Sequence, residues 1–262
     1  MADSKRRDFL KLHVGAGTAF AAGVVGGAAV VTKTDIRRFW EVPQPLLPLH
    51  AGYHYAQHAE DVILWDLIFA WLKIYPASYL DVGAYHPVRS SNTYLFYEQN
   101  CQGVLVEPNP ALWEDLAKVR PRDVLVRGGI GIDGKDSEAD YYVISGDGQL
   151  NTFSKKAAES LPARSGGFHR IQKVLRLPLL DLNGLMQKHW GAAPTLLSID
   201  TEGFELPILR SIDWKRYRPG VVCVETGHPA NAAIHKLMTA QGYDVRGGTF
   251  LNTIFVDRRY TS

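Results

Sequence analysis

Four acidic residues stand at or near the carboxyl ends of apolar segments that are typical of buried β-strands. The segments are "SYLDV" (78–82), "GVLVE" (103–107), "TLLSID" (195–200) and "VVCVE" (221–225), and their acids are Asp81, Glu107, Asp200 and Glu225. Ligands of parallel sheets bind beyond the carboxyl ends of the strands, so we expect these carboxylates to surround one cleft. Because like charges repel, such a cluster favours a polyhydroxyl or cationic ligand over a purely structural role.

The spacing of the first two acids indicates a binding site for a nucleoside. Asp81 is followed by Gly83 and Ala84, and glycine lets the backbone turn tightly and approach a ligand closely. Glu107 ends the next strand, a position suited to an acid that accepts hydrogen bonds from both ribose hydroxyls of adenosine. The alternative is that Asp81 and Glu107 only cap the helices that follow them.

The sequence of the turn after Gly83 distinguishes between the candidate nucleoside cofactors. It reads Ala84, Tyr85, His86, Pro87, so the full G-x-G-x-x-G pattern of dinucleotide sites is missing. Proline lacks the backbone N–H that a pyrophosphate cradle needs. The turn therefore disfavours NAD, and with it a nicotinamide dehydrogenase, and favours S-adenosylmethionine. Tyr85 and His86 are candidates to line the pocket, and a packing role for His86 fits equally well.

A doubly wound α/β sheet would bring these residues together. Helical patterns at 59–75, 110–120, 179–190 and 231–241 separate most of the apolar strands, which include a further one at 123–132. This βαβ succession predicts a mostly parallel sheet. Segments around 243–245 and 253–256 predict an antiparallel hairpin at one edge of the sheet. Residues 138–144 predict a further short strand. Residues 145–167 are polar and predict a mobile surface loop that closes over a ligand.

Several separated motifs resemble those of the FkbM-type methyltransferases. They are "YAQHAEDVIL" (55–64), "DVGAYHPVRSSNTYLFY" (81–97), "GVLVEPNP" (103–110) and "LLSIDTEGFELPILRSIDWKRYRPGVVCVE" (196–225). The resemblance extends over about residues 55–256. It implies a seven-stranded, Rossmann-like class I methyltransferase fold and S-adenosylmethionine as cofactor. The His86-Pro87 turn departs from the family's commoner D-x-G-A-x-x-G form.

The resemblance also implies roles for the cofactor-binding residues. Asp81, Gly83 and Ala84 would line the methionine end, Glu107 would hold the ribose, and Asn109 would assist near the adenosine. Adenine would lie near residues 127–134, where Asp133 either contacts its amino group or serves only the turn.

Candidates for the chemistry come from the last two acidic strand ends. Asp200 and Glu202, in "SIDTEG", are candidates for acceptor positioning and for the general base, and Glu225 and His228, in "ETGH", offer an alternative base. A base that accepts the proton of an acceptor hydroxyl would make this an O-methyltransferase acting on a saccharide or other small metabolite. Two alternatives stay open: Glu202 caps the next helix, or Asp200 and Glu202 hold a divalent cation.

Composition excludes several other classes. The 262 residues are 46% hydrophobic, as in one large globular domain, and the net charge of +2 is too small for nonspecific nucleic-acid binding. Cys101 and Cys223 have no nearby partners for a disulfide or zinc site.

The N-terminal region contains a candidate targeting signal. Arg6 and Arg7 precede an uncharged run, residues 12–31, and residues 1–33 together resemble a bacterial twin-arginine export signal or membrane anchor. Prolines make 34–52 a linker, so the methyltransferase domain is predicted at 53–262. Export, membrane anchoring and a cytoplasmic location all stay open. A rival hypothesis is a membrane-tethered, catalytically inactive methyltransferase-like binding protein.

Overall fold

A computed structural model describes residues 54–133, 136–146, 148–227 and 231–260. The predicted leader (1–33) and linker (34–52) lie outside the described residues, and so does His228. Within the described part of the chain, no helix has the length and apolar character needed to cross a bilayer.

A seven-stranded sheet forms the centre of the fold. Its strands are β1 (Ser78–Val82), β2 (Gln102–Glu107), β3 (Val124–Arg127), β7 (Leu196–Ile199), β8 (Val221–Glu225), β9 (Tyr243–Gly248) and β10 (Asn252–Asp257). They lie in the order β3-β2-β1-β7-β8-β10-β9. The first five are parallel, whereas β10 runs antiparallel to both β8 and β9. The structure thus confirms the predicted doubly wound sheet with an antiparallel edge hairpin.

The strands of this sheet form because they are apolar on both faces. Every residue of β7 and β8 is buried. In β1, Leu80 and Val82 pack into one hydrophobic layer, while Tyr79 packs into the layer on the opposite face. Helices cover both layers, as expected for a parallel sheet.

The strand order reverses beside β1. The chain first adds β2 and β3 on one side of β1 and later places β7 on its other side. Clefts at such switch points are where doubly wound sheets bind ligands. Gly83 and Asp200, which follow β1 and β7, are therefore brought to this point.

A second, three-stranded sheet was not predicted. It contains β4 (Gly129–Gly131), β5 (Ser137–Ile144) and β6 (Ile171–Asp181) in the order β4-β6-β5. The predicted single strand 123–132 is wrong in one respect, because Gly128 separates β3 of the main sheet from β4 of the second. The predicted helix 179–190 begins only at Leu182, since residues 179–181 end β6.

Helices and short helical turns connect the strands. They are α1 (Glu60–Trp65), a π-helix (Asp66–Trp71), α2 (Tyr94–Glu98), a 3₁₀ turn (Pro110–Leu112), α3 (Trp113–Val119), α4 (Lys155–Arg164), α5 (Leu182–Trp190), α6 (Glu205–Ser211), α7 (Asn231–Ala240) and a 3₁₀ turn (Arg258–Tyr260). The segment 145–167, predicted as a loop, contains α4. The Ser154 hydroxyl caps this helix by accepting a hydrogen bond from Ala157 N at 3.2 Å.

Candidate functional site

A cavity of about 280 Å³ lies at the carboxyl edge of β1, β2 and β7. The main sheet contributes Gly83, Glu107 and Asp200 to its lining, and the second sheet contributes Tyr141 from β5. Residues 148–149 and 151–153, between β5 and α4, form a further wall. Part of the segment predicted to close over a ligand therefore lines the cavity.

Gly83 allows the turn after β1 to approach the end of β7. Its φ of +86° lies in the region that favours glycine, and a β-carbon there would stand 1.8 Å from the Asp200 carbonyl oxygen. The Gly83 amide donates to the Val106 carbonyl at 2.9 Å, and the Asp200 amide donates to the Val82 carbonyl at 3.0 Å. The backbone of this turn thus borders the cavity without an intervening side chain.

Glu107 is held in one orientation by the backbone. Its Oε2 accepts a hydrogen bond from Tyr85 N at 2.7 Å, and its Oε1 accepts one from Asn109 N at 2.6 Å. The side chain is 4% exposed, and burial raises the pKa of Glu107 to about 7 despite these two bonds. Since an ionised carboxyl offers about four acceptor positions, Glu107 retains capacity for ligand hydroxyls.

Asp81 takes part in a buried network and is not among the residues that line the cavity. Its Oδ2 accepts a hydrogen bond from Thr93 Oγ1 at 2.6 Å, and Thr93 Oγ1 accepts one from Arg120 Nη2 at 3.0 Å. Arg120 in turn pairs with Asp123 at 2.7 Å. The network ties the end of β1 to the start of α2 and the end of α3, so Asp81 is placed to support the turn.

Three carboxyl groups meet beside the end of β7. Asp200, Glu205 and Glu225 each contribute an oxygen atom, and these atoms lie within 4.8 Å of one another. Glu225 is 7% exposed, and its carboxyl group lies beside that of Asp200. Oxygen ligands of this kind suit Mg²⁺, but clustered acidic groups are common without an ion. Glu202, which the sequence paired with Asp200 as a potential ligand, is not part of this group.

Glu205 holds the turn that presents Glu202. Its Oε1 accepts hydrogen bonds from Thr201 N and Thr201 Oγ1, both at 2.9 Å, and Gly203 N donates to the same carboxyl group at 3.2 Å. These bonds organise the turn before α6, whose N-cap residue is Phe204 and not Glu202, and Phe204 makes no side-chain capping bond. Glu202 adopts a φ of +54°, a strained conformation for a residue with a β-carbon that is often found at functional sites.

Besides Glu107, two further carboxyl groups that line the cavity have pKa values near neutral pH. Burial, then repulsion from Glu202 and Glu205, raises the pKa of Asp200 to about 8. Burial, then repulsion from Glu225 and Glu205, raises the pKa of Glu202 to about 7. Both groups are thus poised to exchange protons in the range where general bases work best.

The predicted site residues fall into three groups. Those that line the cavity are Gly83, Tyr85, Glu107, Asp200 and Glu202. Those that are buried nearby but do not line it are Asp81, Ala84, Asn109 and Glu225. Asp133 is exposed and does not line it, and His228 lies outside the described residues.

Sequence reasoning missed several residues of the site. Tyr141 and Asn151 reach the cavity from β5 and the segment after it, and no motif marked them. Glu205 could have been found from the sequence, because it is the second acid of "TEGFE" and follows Glu202 by three residues. An acid in the first turn of a helix can accept hydrogen bonds from the backbone of the turn before it.

A family of known proteins matches most of the described domain. The sequence profile of the methyltransferase FkbM domain matches residues 81–245, which is more than half of the chain. No curated protein matches the chain.

Solved structures with a similar fold share little sequence with the chain. A TehB-like SAM-dependent methyltransferase from Corynebacterium glutamicum is 11% identical over 79% of this chain and 90% of its own, with a TM-score of 0.40. A precorrin-6y C5,15-methyltransferase from Geobacter metallireducens is 12% identical over 76% and 86%, with a TM-score of 0.40. A fibrillarin from Aeropyrum pernix, solved with natively bound S-adenosyl-L-methionine, is 11% identical over 68% and 65%, with a TM-score of 0.34.

The family match is what identifies the chain, since structural similarity at this level does not assign residues. Three of the four motifs that resembled the family, 81–97, 103–110 and 196–225, include strand ends at or beside the cavity. The chain belongs to the FkbM methyltransferase domain family, and it is an S-adenosylmethionine-dependent methyltransferase.

Proposed function

We propose that this methyltransferase methylates a hydroxyl group of a saccharide or other small metabolite. The observation that carries the proposal is the pair of cavity-lining carboxyl groups, Asp200 and Glu202, whose raised pKa values suit proton transfer near neutral pH. Bound S-adenosylmethionine supplies an electrophilic methyl group on a positively charged sulfur.

The cavity residues fit this cofactor. Glu107 would accept hydrogen bonds from the ribose hydroxyls, because its carboxyl group is already oriented by Tyr85 N and Asn109 N. Gly83 would leave room for the methionine part, with Asp81 and Ala84 supporting the turn. A cationic ligand would also relieve the repulsion among the carboxylates at the end of β7.

Asp200 would act on the acceptor as a general base. A neutral hydroxyl is a weak nucleophile, and a positioned carboxylate that accepts its proton typically contributes about 10²- to 10⁴-fold in rate. Asp200 follows β7 directly and its backbone is hydrogen-bonded to β1, so its position is rigid. Glu202, on the neighbouring strained turn, would position the acceptor hydroxyl, and Glu225 would tune the pKa of Asp200 from its place beside that carboxyl group.

The rate of methyl transfer should rise with pH through the range of these pKa values. The base works only when ionised, so the single-turnover rate at saturating cofactor should rise about tenfold per pH unit below about pH 7, be half maximal near pH 8 and level off above about pH 9. Rapid-quench measurements across this range check the prediction. A rate that is flat or falls as pH rises would exclude a carboxyl base with a raised pKa.

The acceptor class is tested by incubating the full-length chain with methyl-labelled S-adenosylmethionine and panels of saccharides and small hydroxylated metabolites. We expect label in a product that survives alkali, because a methyl ether is stable where a methyl ester is not. Label found only as an ester or on nitrogen would contradict O-methylation of a hydroxyl.

The tip of the β9–β10 hairpin would contact the acceptor. Asn252, which begins β10, pairs with Glu225 at the end of β8, so the tip lies at the edge of the sheet that carries the acids. Phe250 at this tip is 87% exposed, and its ring lies 6.4 Å from that of His58, next to the cavity-lining Gln57. An apolar ring beside polar groups suits the C–H face of a sugar.

Phe250→Ala should therefore raise the KM for the acceptor by about 3- to 10-fold, which is the effect of losing one aromatic contact. The affinity for S-adenosylmethionine should not change. Phe168→Ala is the matched control, because Phe168 is also highly exposed (77%) but lies between α4 and β6, outside the hairpin. Equal acceptor KM values for Phe250→Ala and wild type would remove the hairpin tip from acceptor binding.

The rival proposal is a membrane-tethered protein that binds S-adenosylmethionine without turnover. The pattern of Arg6, Arg7 and residues 12–31 favours it, because this cofactor is made in the cytoplasm and an exported enzyme would lack a supply. Any acceptor methylated by the full-length chain would exclude it. Cell fractionation of the chain, with Arg6 and Arg7 replaced by lysine as the comparison, tests export and membrane attachment.

A further inference from the structure

The chain between β1 and α2, residues 83–93, borders the cavity without forming a helix or a strand. Tyr85 and Ser90, five residues apart in this segment, both line the cavity. Each adopts a positive φ, +52° and +58° respectively, which costs free energy for a residue with a β-carbon. A segment that contains two such residues needs other bonds to hold its shape.

The side chain of His86 provides these bonds. Its Nδ1 atom accepts hydrogen bonds from Val88 N at 3.1 Å and from Arg89 N at 3.0 Å. Pro87, between His86 and Val88, has no amide hydrogen that could compete for Nδ1. Only an unprotonated ring nitrogen can accept from an N–H group, so the ring is neutral and carries its proton on Nε2. Asn and Asp side chains commonly close turns in this way, through an oxygen on Cγ.

The closed turn is joined to the proposed ribose site through Tyr85. Tyr85 N donates to Glu107 Oε2 at 2.7 Å, and this is one of the two backbone bonds that orient the carboxyl group. The ring of His86 also lies 6.3 Å from the ring of Tyr85. His86 itself is not among the residues that line the cavity, so its influence on a bound cofactor must pass through its neighbours.

We propose that His86 is a positioning residue for cofactor binding. Its unprotonated Nδ1 atom closes the turn after β1, and the closed turn keeps Tyr85 N against Glu107. Protonation of Nδ1 replaces this acceptor with a donor that faces two other donors, so the turn opens and Glu107 loses part of its orientation. The inference rests on the proposed placement of the ribose at Glu107.

The groups around the ring favour its neutral form. Burial, and then the positive charge of Arg89 in the same turn, lower the pKa of His86. The negative charge of Asp115 in α3 opposes this shift. The turn is therefore closed at neutral pH, and it opens as pH falls below the ordinary histidine pKa of about 6.5.

The test measures binding of S-adenosylhomocysteine, which contains the same adenosine, by calorimetry on the full-length chain at about pH 8, where histidine is neutral. His86→Phe keeps a ring beside Tyr85 but has no acceptor, and it should weaken binding by about 3- to 30-fold, as expected for the loss of one or two ordering hydrogen bonds. His86→Asn has an oxygen on Cγ in place of Nδ1 and should bind nearly as well as wild type. His235→Phe, at a half-buried histidine of α7, is the matched control and should bind like wild type.

Two further measurements distinguish positioning from a general structural role. In the Glu107→Ala background, His86→Phe should cause no further loss of affinity, because its effect passes through Glu107. As pH falls from about 7 to about 5, wild type should lose affinity relative to His86→Asn, because Nδ1 becomes protonated and the asparagine oxygen stays an acceptor. The ratio of the two dissociation constants cancels the titration of Glu107, which both proteins share.

Four results would each overturn the proposal: wild-type affinity in His86→Phe, equal losses in His86→Phe and His86→Asn, additive losses with Glu107→Ala, or a ratio that does not change with pH. If melting curves show that His86→Phe is unfolded, the pH comparison of wild type with His86→Asn still decides the question. If wild type does not bind S-adenosylhomocysteine, the proposed cofactor site fails. If wild type binds and only these comparisons fail, the cofactor site stands and the role of His86 is wrong.

Discussion

Glu107→Ala is expected to weaken S-adenosylmethionine binding by about 1–3 kcal/mol, or about 5- to 150-fold in Kd. The carboxyl group lines the cavity, and its two backbone hydrogen bonds present it to the ribose without further ordering. Calorimetric titration of the full-length variant and wild type measures the difference.

A matched control separates this effect from a general loss of charge. Glu114→Ala removes an exposed carboxylate from α3 and should leave cofactor binding unchanged. Because Glu107 also accepts from Tyr85 N and Asn109 N, its loss is expected to lower stability, so melting curves must show that the variant is folded. A folded Glu107→Ala variant with wild-type affinity would remove Glu107 from the cofactor site.

Asp200→Asn is expected to slow methyl transfer by about 10²- to 10⁴-fold at saturating acceptor and cofactor. Asparagine keeps the shape of the side chain but cannot take the acceptor's proton. Cofactor affinity should stay within a few-fold of wild type, because Glu107 makes the main proposed polar contact. Single-turnover kinetics measure the rate, and calorimetry measures the affinity.

The stability of the same variant gives an independent check. The pKa of Asp200 is raised in the folded state, so its ionisation destabilises the fold. The stabilising effect of the bound proton is complete below the unfolded pKa of about 3.9 and is lost as pH rises through about 8. The free energy of unfolding of Asp200→Asn, compared with that of wild type at the same pH, should therefore become more favourable to the variant as pH rises from about 4 to about 8.

Substitutions at the neighbouring acids show which carboxyl is the base. Glu202→Gln should raise the acceptor KM more than it lowers the transfer rate, because Glu202 is proposed to position the hydroxyl. Turnover of Asp200→Asn equal to wild type would exclude Asp200 as the base. A full loss of rate in Glu225→Gln, with Asp200→Asn active, would move that role to Glu225.

The main sheet could be predicted from sequence because its strands are buried on both faces. Apolar runs such as "VVCVE" are distinctive, and β1 and β8 have the predicted bounds. In the second sheet only β5 matches a strand predicted as such, 138–144. β6 and β4 gave no comparable signal, because Leu177 is the only buried residue among the eleven of β6, which also contain Pro178, and β4 has only three residues. Their strand character depends on pairing with each other.

The site residues that could be predicted are those that lie directly at the end of an apolar strand. Glu107 and Asp200 line the cavity because the strands that carry them end at the switch point. Asp81 stands one residue before the end of β1, and its carboxyl group bonds to Thr93. Asn151 could not be found, because its place in the cavity comes from the bonds between its segment and β5, which leave no local sequence pattern.

Calorimetric titration of the purified full-length chain with S-adenosylmethionine tests the central claim most directly. We expect one binding site with a Kd on the order of micromolar, which corresponds to about −8 kcal/mol. We also expect S-adenosylhomocysteine to compete for it and NADH not to compete. No detectable heat with either adenosyl ligand, from a chain shown to be folded by its melting curve, would contradict the proposal that this cavity holds the cofactor.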